Sequence, residues 1–100
     1  MGGNSPSPRH RRAAVAETNY IALFYSHFGA TRYSRLLTNA GWENRMCPVP
    51  RSLSSSCGTC VRYAGPAPCP TPDIPEEVEK IVEVREGASS RYTTVYEFED

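Results

Sequence analysis

An unbroken apolar run from Tyr20 to Tyr25 is the first segment of the chain with a clear structural preference. A run of β-branched and aromatic residues without polar alternation indicates a strand that is covered on both faces. A helix is predicted next, because Ser26 suits an N-cap and apolar residues then recur at helical spacing. Gly41 predicts its end, since glycine tolerates the left-handed conformation after a last helical turn. The recurring apolar positions are Ala30, Tyr33, Leu37 and Ala40.

Two short strands are predicted in the middle of the chain, at Asn44–Val49 and Thr59–Tyr63, with a serine-rich loop between them. The first contains a proline and is followed by another, and a proline cannot donate a ladder hydrogen bond. It should therefore lie at a sheet edge. In the second, the period of two places Cys60 and Arg62 on the same face.

The last third of the chain predicts a second helix and a final strand. A proline-rich connector spans 65–72, and Asp73 with Glu76 then forms a capping-box pattern. Apolar residues follow at helical spacing up to Gly87, and Arg91–Phe98 alternates in the manner of an edge strand. The apolar helical positions are Ile74, Val78, Ile81 and Val82, and the residues on one face of the strand are Tyr92, Thr94, Tyr96 and Phe98.

These elements run in the order strand, helix, strand, strand, helix, strand. Right-handed connections in such a chain predict an α+β fold of the ferredoxin-like, split βαβ type. Its four-stranded antiparallel sheet would have the order 4-1-3-2, with two helices on one face and the second and fourth strands at the edges. We expect residues 1–18 to form a disordered basic tail and 19–100 to form one domain.

Composition limits the classes of protein to which the chain can belong. Its 100 residues allow one compact domain, and 39% of them are apolar. Neither an apolar run long enough for a membrane span nor a signal peptide is evident, so a soluble cytoplasmic protein is expected. The net charge is zero, but residues 20–72 carry +4 and residues 73–100 carry −6. This balance argues against nucleic acid as a partner.

Candidate chemistry concentrates in the loop that ends in Cys57 and Gly58. A thiol does sulfur chemistry as its thiolate, which positive charge and converging backbone N–H groups stabilise. Arg51 can supply the charge and Ser54–Gly58 the N–H groups, with Gly58 allowing a close turn of the backbone. The simpler alternative is a polar hairpin with one incidental cysteine.

Three further interpretations of the cysteines remain open. Cys57 and Cys60 form a C-x-x-C pair, but no helix is predicted at this pair as in a thioredoxin-like site. Together with Cys47 and Cys69 they could bind zinc. However, the spacings of 10, 3 and 9 residues include only one C-x-x-C pair, whereas structural zinc sites normally use two. Cys47 by itself is explained as a small buried hydrophobe. The chain could also be a non-catalytic module that binds a protein through its open sheet face.

The segment from Arg45 to Gly58, RMCPVPRSLSSSCG, followed by Val61-Arg62-Tyr63, resembles the selenium/sulfur carrier-like family. The resemblance extends from about Tyr20 to Phe98. It implies a carrier, rather than an enzyme that turns over, which accepts sulfur or selenium on one cysteine and passes it to another protein. The implied partners are a donor such as a cysteine desulfurase and an acceptor such as a SirA-like protein. No cofactor or metal is implied.

On this resemblance Cys57 is the carrier thiol, and Cys60 is a possible second thiol that could attack a Cys57 persulfide. Leu53 would anchor the loop. The remaining candidate binding residues come from the loop and the strand after it, and they are Arg51, Ser54, Ser55, Ser56, Gly58 and Arg62. Thr59 and Cys60 depart from the family pattern, which has small apolar residues after the Cys-Gly pair.

Overall fold

The computed structural model describes residues 18–85 and 91–98, which form one five-stranded sheet and one helix. The sheet order is β2-β3-β1-β4-β5, and every pair of neighbours is antiparallel. The helix α1 spans His27–Asn39 and packs on one face of the sheet. The strands are β1 (Thr18–Phe24), β2 (Asn44–Pro48), β3 (Thr59–Gly65), β4 (Val78–Val84) and β5 (Tyr92–Glu97).

The first strand and the helix lie where the pattern predicts them, although Tyr25 follows β1 and is exposed, and Ala40 of the predicted helical stripe is exposed as well. Strand β1 lies between β3 and β4, so its apolar residues are buried on both faces. The Ser26 hydroxyl accepts a hydrogen bond from the backbone N–H of Gly29 at 3.1 Å, which caps α1. Gly41 has φ +85°, the left-handed conformation expected after the helix end.

The predicted second helix is wrong, because three of its four apolar positions belong to strand β4 and the fourth, Ile74, lies in the loop before it. Val78 and Ile81 face α1, whereas Val82, although adjacent to Ile81, is buried on the opposite face of the sheet. A central strand buried on both faces places consecutive apolar residues on opposite sides. Apolar spacing along such a strand can therefore imitate a helical stripe, and the capping-box pattern at Asp73 begins no helix.

The ferredoxin-like arrangement is consequently wrong as well. Residues 18–85 and 91–98 contain one helix where two were expected, and a fifth strand, β4, is inserted between β1 and the last strand. The positions of the other strands are as predicted, since β1 and β3 are internal and β2 and β5 lie at the edges. Most of the predicted tail and Gly87 lie outside the described residues, and Thr18 of that tail begins β1.

The two faces of the sheet carry separate apolar clusters. The helix-face cluster consists of Tyr20, Ala22, Phe24, Ala30, Tyr33, Leu37, Val61, Tyr63, Val78 and Ile81. The rear-face cluster, on the side opposite α1, consists of Ile21, Leu23, Cys60 and Val82. Partly buried residues that pack against the rear-face cluster are Cys47, Val49, Leu53, Val84 and Tyr92.

Two irregularities change which way side chains point. Between β4 and β5 the register skips Val95, so Tyr96 packs with the helix-face cluster and Tyr92 with the rear-face cluster. The prediction that both tyrosines share one face is wrong for this reason, because a bulge reverses the alternation. Between β1 and β4 the register skips Glu79, which leaves this residue without a partner in β1.

Candidate functional site

Residues 49–58 form the loop between β2 and β3, and hydrogen bonds at its base and tip fix its shape. The Val49 N–H donates to the Gly58 carbonyl at 3.1 Å, which extends the β2–β3 ladder by one pair. The Leu53 N–H donates to the Pro50 carbonyl at 3.0 Å and closes a turn at the tip. Gly58 has φ +76°, a conformation that a side chain would strain.

The loop contacts both faces of the sheet. Leu53 is partly buried against the rear-face cluster. Two residues later, the Ser55 hydroxyl donates to the carbonyl of Phe24, at the end of β1, over 2.9 Å. Cys57 then packs against the helix-face cluster. The loop therefore bridges the two faces of the sheet at the end of β1, and Cys57 occupies its last turn.

Cys57 is a half-buried free thiol. Its Sγ donates to the Thr59 carbonyl at 3.4 Å, so the thiol is oriented by the first residue of β3. The thiol is thus held by the backbone while part of its surface remains open to solvent.

A carboxylate lies beside the same loop. The backbone N–H of Ser56 donates to Oε1 of Glu79 at 3.2 Å. Glu79 reaches this position from the bulge in β4, where it has no partner in β1. The expected group of free N–H donors at Ser54–Gly58 is therefore partly occupied by a negative side chain in this conformation.

The other predicted binding residues lie in two different places. Arg51 is exposed at the tip turn, and Ser54 is exposed between Leu53 and Ser55. Arg62 lies on the rear face of β3, directly opposite Arg45 of β2. Neither Arg51 nor Arg62 forms an ion pair with any residue that the structure describes. Arg62 and Arg45 instead help to line a cavity of about 760 Å³ that also includes Trp42 and Tyr63.

Cys60 is separated from Cys57 by the sheet itself. It is fully buried in the rear-face cluster, whereas Cys57 packs on the helix side. Its sulfur contacts that of Cys47, which lies opposite it in the ladder with an Sγ–Sγ distance of 3.7 Å. Burial, followed by the contact with Cys47, raises the pKa of the Cys60 thiol to about 12. The C-x-x-C motif is thus not a facing pair of thiols.

This separation also distributes the four cysteines over two sides of the sheet. Cys47 and Cys60 lie on the rear face, while Cys57 and Cys69 pack against the helix-face cluster. Within residues 18–85 and 91–98, no group of three or more His, Cys, Asp or Glu side chains is arranged to hold a metal.

Sequence reasoning missed two residues of this region, Glu79 and Cys47. Glu79 falls within the segment predicted as the second helix, and only the β-bulge explains how it reaches the loop. Cys47 was interpreted by itself as a small hydrophobe. The signal that could have identified its partner is the predicted pairing of Asn44–Val49 with Thr59–Tyr63 around a loop of known length.

No helix in the described part of the chain is long and apolar enough to cross a membrane.

Comparisons with known proteins give one finding about identity. No curated protein and no solved structure matches the chain with significance. A family model described as "Putative Se/S carrier protein-like" matches residues 19–68, from β1 to the connector after β3. The chain therefore belongs to the selenium/sulfur carrier protein-like family.

Proposed function

We propose that the protein carries sulfane sulfur or selenium on Cys57 and delivers it to an acceptor protein. In the loading step the Cys57 thiolate attacks the terminal sulfur of a donor persulfide, R–S–SH. A new bond forms between the two sulfurs, the donor S–S bond breaks, and the donor leaves as its thiolate R–S⁻. The product is Cys57–S–SH, so the step needs no external oxidant or reductant.

The observation that carries this proposal is the contrast between Cys57 and Cys60. Cys57 is half-buried in a loop that is fixed at its base, at its tip and through Ser55. Cys60 is fully buried and its pKa is raised to about 12, so it is a poor nucleophile at neutral pH. The suggestion that Cys60 attacks a Cys57 persulfide receives no support from this arrangement, because the two thiols pack on opposite faces of the sheet.

Loading requires a place for negative charge on Cys57 and its extra atom. The Ser56 N–H is the donor that we assign to this role, and it is now bonded to Glu79 at 3.2 Å. In our proposal the persulfide anion displaces the Glu79 carboxylate, which turns outward to solvent. Glu79 thus occupies the N–H group in the unloaded protein and gives it up when Cys57 is loaded. Arg51, exposed at the tip, supplies positive charge when a partner approaches.

We propose the sulfur donor and the sulfur acceptor by their chemical class. A cysteine desulfurase generates a protein persulfide from cysteine and is the expected donor, and a SirA-like protein is the expected acceptor. Such exchange requires reduced thiols, so we propose that the protein works in the cytoplasm. The exposed arginines of β2, β3 and the tip turn are suited to acidic partner surfaces, since complementary charge mainly raises encounter rates.

Intact-protein mass spectrometry after incubation with a cysteine desulfurase and cysteine tests the proposal. We expect an added mass of about 32 Da per sulfur, located on Cys57 by peptide mapping and removed by a reductant. Cys57→Ser should lose the adduct. Cys69→Ser is the matched control and should keep it, because Cys69 is also a half-buried thiol but lies outside the loop.

An active desulfurase that leaves no adduct on the wild-type chain would contradict the carrier function. That result would favour the alternative of a non-catalytic binding module. An adduct on Cys69 rather than Cys57 would contradict the assignment of the carrier thiol.

A further inference from the structure

Cys47 and Cys60 form a pair of thiols on the rear face that the carrier proposal does not use. They lie directly opposite each other in the β2–β3 ladder. Cα atoms of directly opposed residues in antiparallel strands are about 4.5–5.5 Å apart, which falls within the range that disulfides span. Their sulfurs are 3.7 Å apart and both thiols are free. Bond formation needs an approach of roughly 1.7 Å, because the S–S bond is about 2.05 Å long.

The two thiols differ in access. Cys60 is fully buried, and its Sγ also donates to the Pro48 carbonyl at 3.6 Å. Cys47 lies in the edge strand β2 and is only partly buried. A reagent from solvent therefore meets Cys47 first. Cys60 can react only with a sulfur that Cys47 already holds.

We propose that Cys47 and Cys60 are a thiol–disulfide exchange site that reacts with low-molecular-weight disulfides of the glutathione type. The Cys47 thiolate attacks the disulfide R–S–S–R, forms Cys47–S–S–R and releases one R–S⁻. The Cys60 thiolate then attacks the Cys47 sulfur, forms the Cys47–Cys60 disulfide and releases the second R–S⁻. The two protein thiols are oxidised and the small disulfide is reduced to two thiols, because the two R–S⁻ groups take up the two protons that the protein thiols lose.

The product would tie β2 to β3 close to the base of the 49–58 loop. Pro48, the last residue of β2, directly follows Cys47, and Thr59, the first residue of β3, directly precedes Cys60. The site is chemically separate from Cys57, which packs on the other face. Its reaction does not depend on sulfur transfer, so either proposal can fail without the other.

The test uses the full chain with Cys57→Ser and Cys69→Ser, which leaves Cys47 and Cys60 as its two cysteines. Treatment of the folded protein with oxidised glutathione should remove about 2 Da, the mass of two hydrogens, with a Cys47–Cys60 peptide found by mapping. Adding Cys60→Ala should instead trap glutathione on Cys47, with a gain of about 305 Da. Adding Cys47→Ser should leave the folded protein unmodified.

The pH dependence supplies a second measurement. Because burial raises the pKa of Cys60, the ring-closing step should accelerate about tenfold per pH unit between pH 7 and 9. Differential alkylation of the wild-type chain measures formation of the Cys47–Cys60 disulfide without any substitution. Stable glutathione on both cysteines, or modification of Cys60 in the folded Cys47→Ser variant, would overturn the proposal. Reaction of neither thiol would do so as well.

Discussion

Substitution of Gly65 by alanine tests the packing of Trp42 against strand β3, and the sign of the expected change in stability is defined. Gly65 is the last residue of β3, and the ring of Trp42 lies directly over it. A Cβ atom at this position would lie 2.5 Å from ring carbons Cε3 and Cζ3. No positive φ is recorded at Gly65, so the backbone itself accepts alanine. Without the ring, the substitution should stabilise the protein by about 0.4–1 kcal/mol through the unfolded state.

The Trp42 ring reverses the sign of this change in stability. Ordinary contact requires about 3.5–4 Å between carbons, so the half-buried Trp42 must move outward by at least about 1 Å. That movement disturbs its stacked contact with Tyr63, whose ring centroid is 6.3 Å away. Such contacts contribute about 0.5–1.5 kcal/mol, and overpacking costs about 1–3 kcal/mol. We therefore expect Gly65→Ala to lower the free energy of unfolding by about 1–2 kcal/mol.

Urea unfolding of a double-mutant cycle measures the effect. In wild type, Gly65→Ala should lower the midpoint by about 1 M, taking a slope of 1–2 kcal/mol per molar for a domain of this size. In a Trp42→Ala background the same substitution should be neutral or stabilising. An equal loss of stability in the wild-type and Trp42→Ala backgrounds would refute this reasoning, because the destabilisation would then arise in strand β3 and not at the Trp42 ring.

Two further predictions concern charge. Glu79→Gln keeps a carbonyl oxygen for the Ser56 N–H but removes the negative charge, so alkylation of Cys57 at pH 7 should accelerate roughly two- to fivefold. The control is Glu97→Gln, a change at an exposed residue that loses only its 3.9 Å ion pair with Lys80. An unchanged rate would show that the carboxylate does not restrain the thiol. Burial raises the pKa of both Tyr33 and Tyr63 above the ordinary value of 10.0. The unfolded chain therefore ionises first, and stability that is complete below pH 10 should fall above it by about 1.4 kcal/mol per pH unit for each tyrosine. In urea unfolding between pH 9 and 11.5, Tyr33→Phe should remove the contribution of one tyrosine, about 1.4 kcal/mol per pH unit, from the fall in stability. An unchanged dependence of stability on pH would contradict the raised pKa of Tyr33.

Local patterns identified the elements whose sequence signals are short-range. The cap at Ser26 and the stop at Gly41 act within one helical turn, so α1 is where the pattern places it. The two prolines near the end of β2 exclude a central position for that strand, and β2 is indeed at an edge. These features depend on backbone chemistry that neighbours in the fold do not alter.

The second half of the chain shows where this reasoning fails. Val78–Val84 carries apolar residues that satisfy a helical spacing and a two-sided strand equally well. The choice between them depends on whether β1 has a free edge to pair with, which is a property of the whole sheet. Likewise, no local signal marks the skipped residues Glu79 and Val95, which arise from the register of paired strands.

The sequence by itself determined the chemical inventory: one loop that ends in Cys57 and Gly58, three other thiols, and a motif typical of the carrier family. Tertiary structure decided how these groups are combined. Strand pairing placed Cys60 against Cys47 rather than Cys57, because residues next to each other across a ladder can be distant in sequence. It also brought Glu79 to the loop through a bulge. Spacing along a chain is a local quantity, whereas the face on which a side chain lies depends on every strand that pairs with it.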